Sequence, residues 1–247
     1  MISLKNVEFA YGTQEGGSTV LKNLELEVPG EKTLAIVGIS GSGKTTLLHV
    51  MAGLLRPTAG IVYFDGAELT GPRSEIAVVF QDHQLFPWKN VAENVGLPLR
   101  LQKDKQEKDK VAEVLERLGI KEHTKKYPMQ LSGGQRQRAA VGRAIIGNPR
   151  VLLMDEPFSA LDPLTRRILR RDISDLCVEK KLSCALVTHS IEEALVMGDR
   201  IAVFAPEGRI IAGTLENTGR LEDGYITSRD FIIRSEKIRE MLEGSAC

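Results

Sequence analysis

The stretch Gly38-Ile39-Ser40-Gly41-Ser42-Gly43-Lys44-Thr45 closes a glycine-rich turn on a lysine and a hydroxyl. Glycines at 38, 41 and 43 let successive backbone N–H groups turn inward on phosphate oxygens, and a helix starting there adds the positive potential of its N-terminus. Lys44 is then placed for the β- and γ-phosphates of a nucleotide and Thr45 for Mg²⁺, with Ser40, Ser42 and Thr46 in the same contact set. Far downstream, the apolar run Val151 to Met154 ends in Asp155-Glu156. A carboxylate at the end of such a strand suits a water-mediated metal contact. The one after it suits a general base or water-positioning group for attack on the γ-phosphate.

Between these two motifs lies Leu131-Ser132-Gly133-Gly134-Gln135. Ser132 with Gln135 three residues on is a capping-box spacing that opens a helix, and a helix end preceded by serine and glycines is another anion site. One phosphate loop already serves the nucleotide. The economical expectation is therefore that Ser132 and Gly134 bind the γ-phosphate held by a second copy of the chain, much as an arginine finger is supplied in trans. His189 ends a further apolar strand, ahead of a second capping-box spacing at Ser190 and Glu193, where a ring nitrogen can reach the γ-phosphate. His49, His83 and His123 lack that context and are read as structural.

Such groups need a frame. Ile2 to Phe9 and Leu21 to Val28 alternate as strands around a glycine-rich loop, Gly12 to Ser18. Thr33 to Val37 reads as a buried strand feeding the phosphate loop, and Thr45 to Leu55 carries a helical period whose end is marked by Gly53, Pro57 and Gly60. Ile61 to Asp65 and Ile76 to Phe80 suggest more strands. From Asp82 to about Arg150 charges rise and one stripe, Val111, Val114, Leu115 and Leu118, predicts an inserted helical subdomain. Val151 to Met154 and Ala185 to Thr188 are near-continuously apolar, as in a parallel sheet buried on both faces. Ile201 to Phe204 and Arg209 to Gly213 predict a hairpin through Pro206-Glu207-Gly208. The reading is an α/β chain with a parallel-sheet core, an N-terminal antiparallel β subdomain and a helical insertion within residues 1–215. A weakly patterned accessory segment, 216–247, follows.

Composition narrows the partners. Of 247 residues 42% are hydrophobic, enough for a large core, and 33 basic residues balance 33 acidic ones, so no overall field favours nucleic acid or an anionic membrane. Cys177, Cys184 and Cys247 show no metal spacing and no even framework, which fits a reducing compartment. The N-terminus lacks a secretory pattern, and no run reaches the roughly 18 apolar residues of a membrane span. The expected chain is cytoplasmic, with any spanning helices supplied by other polypeptides.

With these residues in this order, the chain resembles the ATP-binding subunits of ATP-binding-cassette (ABC) transporters over roughly residues 1 to 215. The resemblance implies a P-loop NTPase of the ABC ATPase type that uses ATP and Mg²⁺. It also implies roles for residues that spacing alone leaves undefined. Tyr11 matches the aromatic that stacks on adenine. Gln81 matches the glutamine that contacts Mg²⁺ and senses the transmembrane partner. Ser132, Gly133, Gly134 and Gln135 match the signature, Ser159-Ala160-Leu161-Asp162 the D-loop, and His189 the switch histidine.

Phe80 to Val91 (FQDHQLFPWKNV) covers the region that, in this family, docks on a short helix of the membrane subunit. Pro87-Trp88 followed by Val91, Asn94 and Val95, with Gly71-Pro72 upstream, is similar to the importer branch that handles nitrate, sulfonates and taurine. Two features depart from that branch: Glu75-Ile76-Ala77 stands where it usually carries Asp-Arg-Gly, and the tail lacks a proline-rich run. The implied partners are a permease, a second copy of the ATPase and, indirectly, a solute-binding protein, with the chain peripheral on the inner face of the membrane. An exporter ATPase and a soluble cassette ATPase acting on DNA or ribosomes are the alternatives. The latter lacks support from any heptad run or basic patch.

Overall fold

Alternating strands and continuously apolar strands separate into two sheets in the computed structural model, which describes residues 1–12, 18–159, 161–205, 209–220, 222 and 224–244. The alternating strands β1 (Ile2–Tyr11), β2 (Ser18–Val28), β4 (Ala59–Phe64) and β5 (Ala67–Glu68) form an antiparallel sheet ordered β2-β1-β4-β5. Both first strands run further than their patterns suggest, β1 to Tyr11 and β2 back to Ser18. The helix α1 (Lys44–Met51) stops short of the expected Leu55. Gly53 there takes φ 71°, and Gly53 N–H and Leu54 N–H turn back to the carbonyls of Val50 and His49 at 3.1 and 2.9 Å, a Schellman ending.

The apolar strands β3 (Thr33–Val37), β6 (Ile76–Val79), β7 (Val151–Asp155), β8 (Ser183–Thr188) and β9 (Arg200–Phe204) pair in parallel, with β10 (Ile211–Glu216) antiparallel at the edge, in the order β10-β9-β3-β8-β7-β6. Because side chains alternate across a strand, each of these runs feeds two cores. Leu34, Ile36, Leu153, Val187 and Phe204 pack towards α1 and the antiparallel sheet. Ala35, Val37, Leu152, Met154 and Leu186 pack on the opposite side. That second face is covered by α5 (Gly133–Ile145), α6 (Pro163–Glu179) and α7 (Ile191–Met197).

Residues 82–150 hold α2 (Val91–Val95), α3 (Leu97–Leu101), α4 (Glu107–Arg117) and then α5. Val111, Leu115 and Leu118 of the expected stripe are buried, and Val114 packs partly against them. The predicted hairpin pairs as β9 and β10; its turn, 206–208, lies outside the described residues. The tail is more ordered than its pattern implies. Ser228 caps α8 (Arg229–Glu243), only Ile238 of that helix is buried, and Tyr225 and Ile238 join the main core. The fully buried Asn217 donates to the carbonyls of Leu195 and Gly198 at 2.7 Å each and accepts from the Tyr225 hydroxyl. Such a polar tie leaves no apolar period to read. Cys177 and Cys184 are buried free thiols; Cys247 is outside the described residues.

A parallel sheet delivers all its carboxyl ends to one edge. The register pairs Val37 with Thr188, Asp155 with Val187 and Val79 with Met154. The phosphate loop, Asp155-Glu156, His189 and the segment leading to Gln81 therefore emerge side by side.

Candidate functional site

At that edge a cleft of about 330 Å³ is walled by Ser40, Gly41, Gly43, Lys44, Thr45 and Thr46 of the phosphate loop, faced by Gln81 and Glu156 and closed by Val20. Gly41 and Gly43 take φ 79° and 104°, a region that favours glycine, and a Cβ on Gly43 would sit 3.0 Å from Val20. A Cβ on Gly38 would come within 2.8 Å of Phe204. The helix α1 starts at Gly43 with no side-chain cap and no acidic residue in its first turn, so its end is open to an anion.

Lys44 is buried, and its ammonium donates to the carbonyl oxygens of Gly38 and Ile39 at 2.9 and 2.7 Å. Burial pulls its pKa below the usual lysine range, while Glu156 and Asp155 pull it back up. The Thr45 hydroxyl donates to Asp155 Oδ1 at 3.1 Å. Asp155 is 3% exposed, and loss of solvent pushes its pKa above the ordinary aspartate value against that hydrogen bond.

Glu156 holds φ 41°, uncommon for a non-glycine residue; its own N–H is tied to the Val187 carbonyl at 3.0 Å and its carbonyl receives the Ser159 hydroxyl at 3.1 Å. Its side chain meets His189 Nδ1 at 3.1 Å through Oε2. The histidine stands half in solvent. Tyr11, 50% exposed, places its hydroxyl 3.3 Å from Thr46 Oγ1, and its ring packs T-shaped with Phe9 at 4.9 Å.

The signature residues stand apart. Ser132 caps α5 in a closed box: its Oγ accepts Gln135 N–H at 3.3 Å, and Gln135 Oε1 accepts Ser132 N–H at 2.9 Å. None of Ser132, Gly133, Gly134 or Gln135 lines the cleft. Gly134 has a packing reason of its own, since a Cβ there would lie 2.7 Å from Thr165 Cγ2 on α6. Asp162 caps α6 by accepting Thr165 N–H at 3.0 Å; Ala160 of the same motif is outside the described residues. The second expected capping box is only half made. Ser190 Oγ accepts Glu193 N–H, but the Glu193 carboxylate turns away to the Thr188 hydroxyl at 2.6 Å.

After Gln81 the chain makes a rigid knob. His83 and Gln84 both take positive φ, 65° and 44°, and their carbonyls are held by the Arg143 guanidinium at 2.8 and 2.7 Å. The fully buried Asn94 accepts Phe86 N–H at 2.7 Å and donates to the carbonyls of Phe86, Lys89 and Asn90. Trp88 is left 69% exposed at its tip, stacked at 5.3 Å on Phe86. Sequence reasoning missed Val20, Asn94 as a clamp, and the roles of Thr188 and Glu193. Val20 lies just before the strand read from Leu21 to Val28, so no pattern marked it.

Comparisons with known proteins agree with this geometry. The pattern of the family described as ABC transporter matches residues 21–159. An aliphatic sulfonates import ATP-binding protein of Bacillus subtilis is 42% identical over 211 residues, 85% of this chain and 81% of that one. A taurine import ATP-binding protein of Sinorhizobium fredii is 42% identical over 207 residues, 82% and 77% of the two chains. Among solved structures, the dimeric post-hydrolysis state of the ATP-binding cassette MJ0796 bound to ADP and Pi superposes with a TM-score of 0.79 at 31% identity, covering 87% of this chain and 98% of that one. A phosphate loop open to an anion, a strained glutamate paired with a histidine, and these likenesses together mean that the chain belongs to the ABC transporter family, as an ATP-binding and ATP-hydrolysing subunit.

Proposed function

We propose that this ATPase drives a membrane importer for small sulfonate-type solutes, in the nitrate, sulfonate and taurine class, as a head-to-tail dimer bound to a permease at the inner face of the membrane. The observation that carries the dimer is the separation in one chain: Lys44 and Glu156 line a cleft, His189 meets Glu156 at its rim, and Ser132 does not line that cleft. Sulfonate and taurine import in the relatives supports the solute class. Among the described residues no helix is long and apolar enough to cross a membrane; the import ATP-binding relatives support a permease partner that carries the pathway.

In this reading the Lys44 ammonium exchanges the carbonyls of Gly38 and Ile39 for the β- and γ-phosphates of ATP, and the open end of α1 binds the phosphates through its amides. Tyr11, half exposed and tied to Thr46 of the phosphate loop, stacks on adenine. The buried carboxylate of Asp155 and the Thr45 hydroxyl are hard oxygen donors 3.1 Å apart, a pairing that suits Mg²⁺, with Gln81 across the cleft as a further oxygen ligand. Among the described residues no three His, Cys, Asp or Glu side chains cluster as a metal site, so most ligands would come from phosphate and water. Bound Mg²⁺ would supply neutralisation of charge on the β- and γ-oxygens. Glu156 orients the attacking water and takes its proton, and His189, steadied by Glu156, donates to the γ-phosphate. The Ser132 hydroxyl has spent a lone pair on Gln135 N–H but keeps its own hydrogen free to donate to the partner's γ-phosphate. Trp88 and the knob around it offer the permease its contact.

Two measurements test this reading. Sedimentation of Glu156→Gln protein should give a dimer with ATP and Mg²⁺ and a monomer without them; a monomer in both removes the homodimer. In vesicles holding the genetically linked permease and capture protein, an aliphatic sulfonate or taurine should stimulate ATP hydrolysis. Stimulation by an unrelated solute alone removes the proposed substrate class.

A further inference from the structure

Glu193 is 4% exposed, yet it does not line the cleft. One carboxylate oxygen accepts the Thr188 hydroxyl at 2.6 Å, and that hydroxyl itself accepts Ser190 N–H at 3.0 Å. The three-residue turn carrying His189 is thus closed across its base and anchored on Glu193. The other oxygen lies 3.8 Å from Arg166 Nε, whose Nη2 donates to the Leu161 carbonyl at 2.9 Å. Leu161 lies two residues after Ser159, whose hydroxyl donates to the Glu156 carbonyl at 3.1 Å. Contacts therefore run from Thr188 through Glu193 to Arg166 and on to Leu161, the middle step being an ion pair at 3.8 Å with no hydrogen bond on Arg166 Nε, and they link the histidine-bearing turn to the segment leaving Glu156.

A carboxylate this deeply buried needs compensation, which here is a hydroxyl donor on one oxygen and a guanidinium at ion-pair distance from the other. A simple helix cap would have used it on the Ser190 N–H, as the capping-box spacing predicts. Instead that N–H goes to Thr188, and the carboxylate is spent between two loops that approach the γ-phosphate side from different strands. Such an arrangement fixes their relative position, and a small misplacement of reacting groups is costly in rate.

We propose that Glu193, with Arg166, is a positioning residue that holds His189 in register with Glu156. The inference rests on the reading of Glu156 and His189 as the groups at the γ-phosphate. It concerns kcat, not nucleotide affinity, because neither residue reaches the cleft.

The test uses the full chain with ATP and Mg²⁺, alone and with its permease. Glu193→Ala should lower kcat about tenfold and leave the ATP dissociation constant within about twofold. Glu193→Gln keeps an acceptor for Thr188 and should recover most of that loss, as should Thr188→Ser relative to Thr188→Val, which cuts the same link from the strand side should the alanine variant fail to fold. The decisive measurement is a double-mutant cycle. In a His189→Ala background, Glu193→Ala or Thr188→Val should change kcat by less than about twofold, because the group being positioned is gone. Full additivity in that background, an unchanged kcat in the single variants, or a loss of ATP binding that parallels the loss of rate would overturn the proposal. His189→Ala at wild-type rate would instead remove the underlying reading of the histidine, and the proposal with it.

Discussion

Two glycine-flanked helix N-termini, both proposed to meet phosphate, are finished differently. The helix after the phosphate loop begins at Gly43 without a side-chain cap, its lysine folded back on two carbonyls that a phosphate can replace. The helix after Leu131 begins with Ser132 and Gln135 satisfying each other's backbone groups in a closed box. An uncapped helix end in a walled cleft is incomplete without a ligand in its own chain. A capped one is complete as a fold element, and it can be presented at a surface until another subunit brings the phosphate. In the proposed dimer, that contrast separates what one chain binds from what two chains hydrolyse together.

The largest blow to the first region is chemical. Glu156→Gln should bind ATP normally and lose about 10² to 10³ in steady-state turnover, and an unaltered rate would remove Glu156 from its role. The sharpest test of the second region is complementation. Lys44→Ala and Ser132→Ala chains should each be inactive, yet mixed in equal amounts they should recover about a quarter of the wild-type sites, since random pairing makes half the dimers mixed and each mixed dimer holds one whole site. No recovery would place both residues in the same chain's site.

Gly134→Ala separates packing from phosphate binding at the capped helix. The added methyl meets Thr165 Cγ2 at 2.7 Å and should cost about 1–3 kcal/mol in chemical denaturation, with Thr165→Ser restoring stability. ATPase activity that stays low in the stabilised double variant would assign the glycine to phosphate as well.

Asp155→Asn acts in the opposite direction. Without nucleotide it should raise stability by about 0.5–2 kcal/mol while abolishing hydrolysis, because it removes a buried charge kept for function. Asp155 has a folded-state pKa above its unfolded value of 3.8, so between the two the folded chain binds the extra proton. This group's contribution to stability therefore falls as pH rises through that window, and melting curves across it should be flatter for Asp155→Asn than for the parent. The smallest effect on the isolated chain is expected at Trp88. Its removal should change stability by less than about 0.5 kcal/mol and leave basal ATPase intact, yet weaken co-purification with the permease. An unchanged yield of complex would move the docking surface elsewhere.

Much of this was legible in one dimension. The glycine spacing before Lys44, the apolar strand ending at Asp155-Glu156 and the Ser132 capping box each depend on neighbours within a few residues, because the physics of loops, strand ends and helix caps is local. The continuous apolar runs at 33–37, 151–154 and 185–188 likewise announced a sheet buried on both faces. The tail was not legible, since its attachment runs through Asn217 and Tyr225, polar residues whose partners are far along the chain.

Nor could spacing reveal that Glu193 would abandon its cap for Thr188, because that choice depended on a strand end and on Arg166 arriving from another helix. Local chemistry and hydrophobic period determined which motifs exist and which elements carry them. Tertiary structure alone decided which meet: parallel pairing brought the ends of β3, β7 and β8 to one edge and left Ser132 on a helix apart from the cleft. The physical reason is that propensity, capping and period act between near neighbours, whereas strand register and the partners of buried polar groups are set by elements distant in sequence.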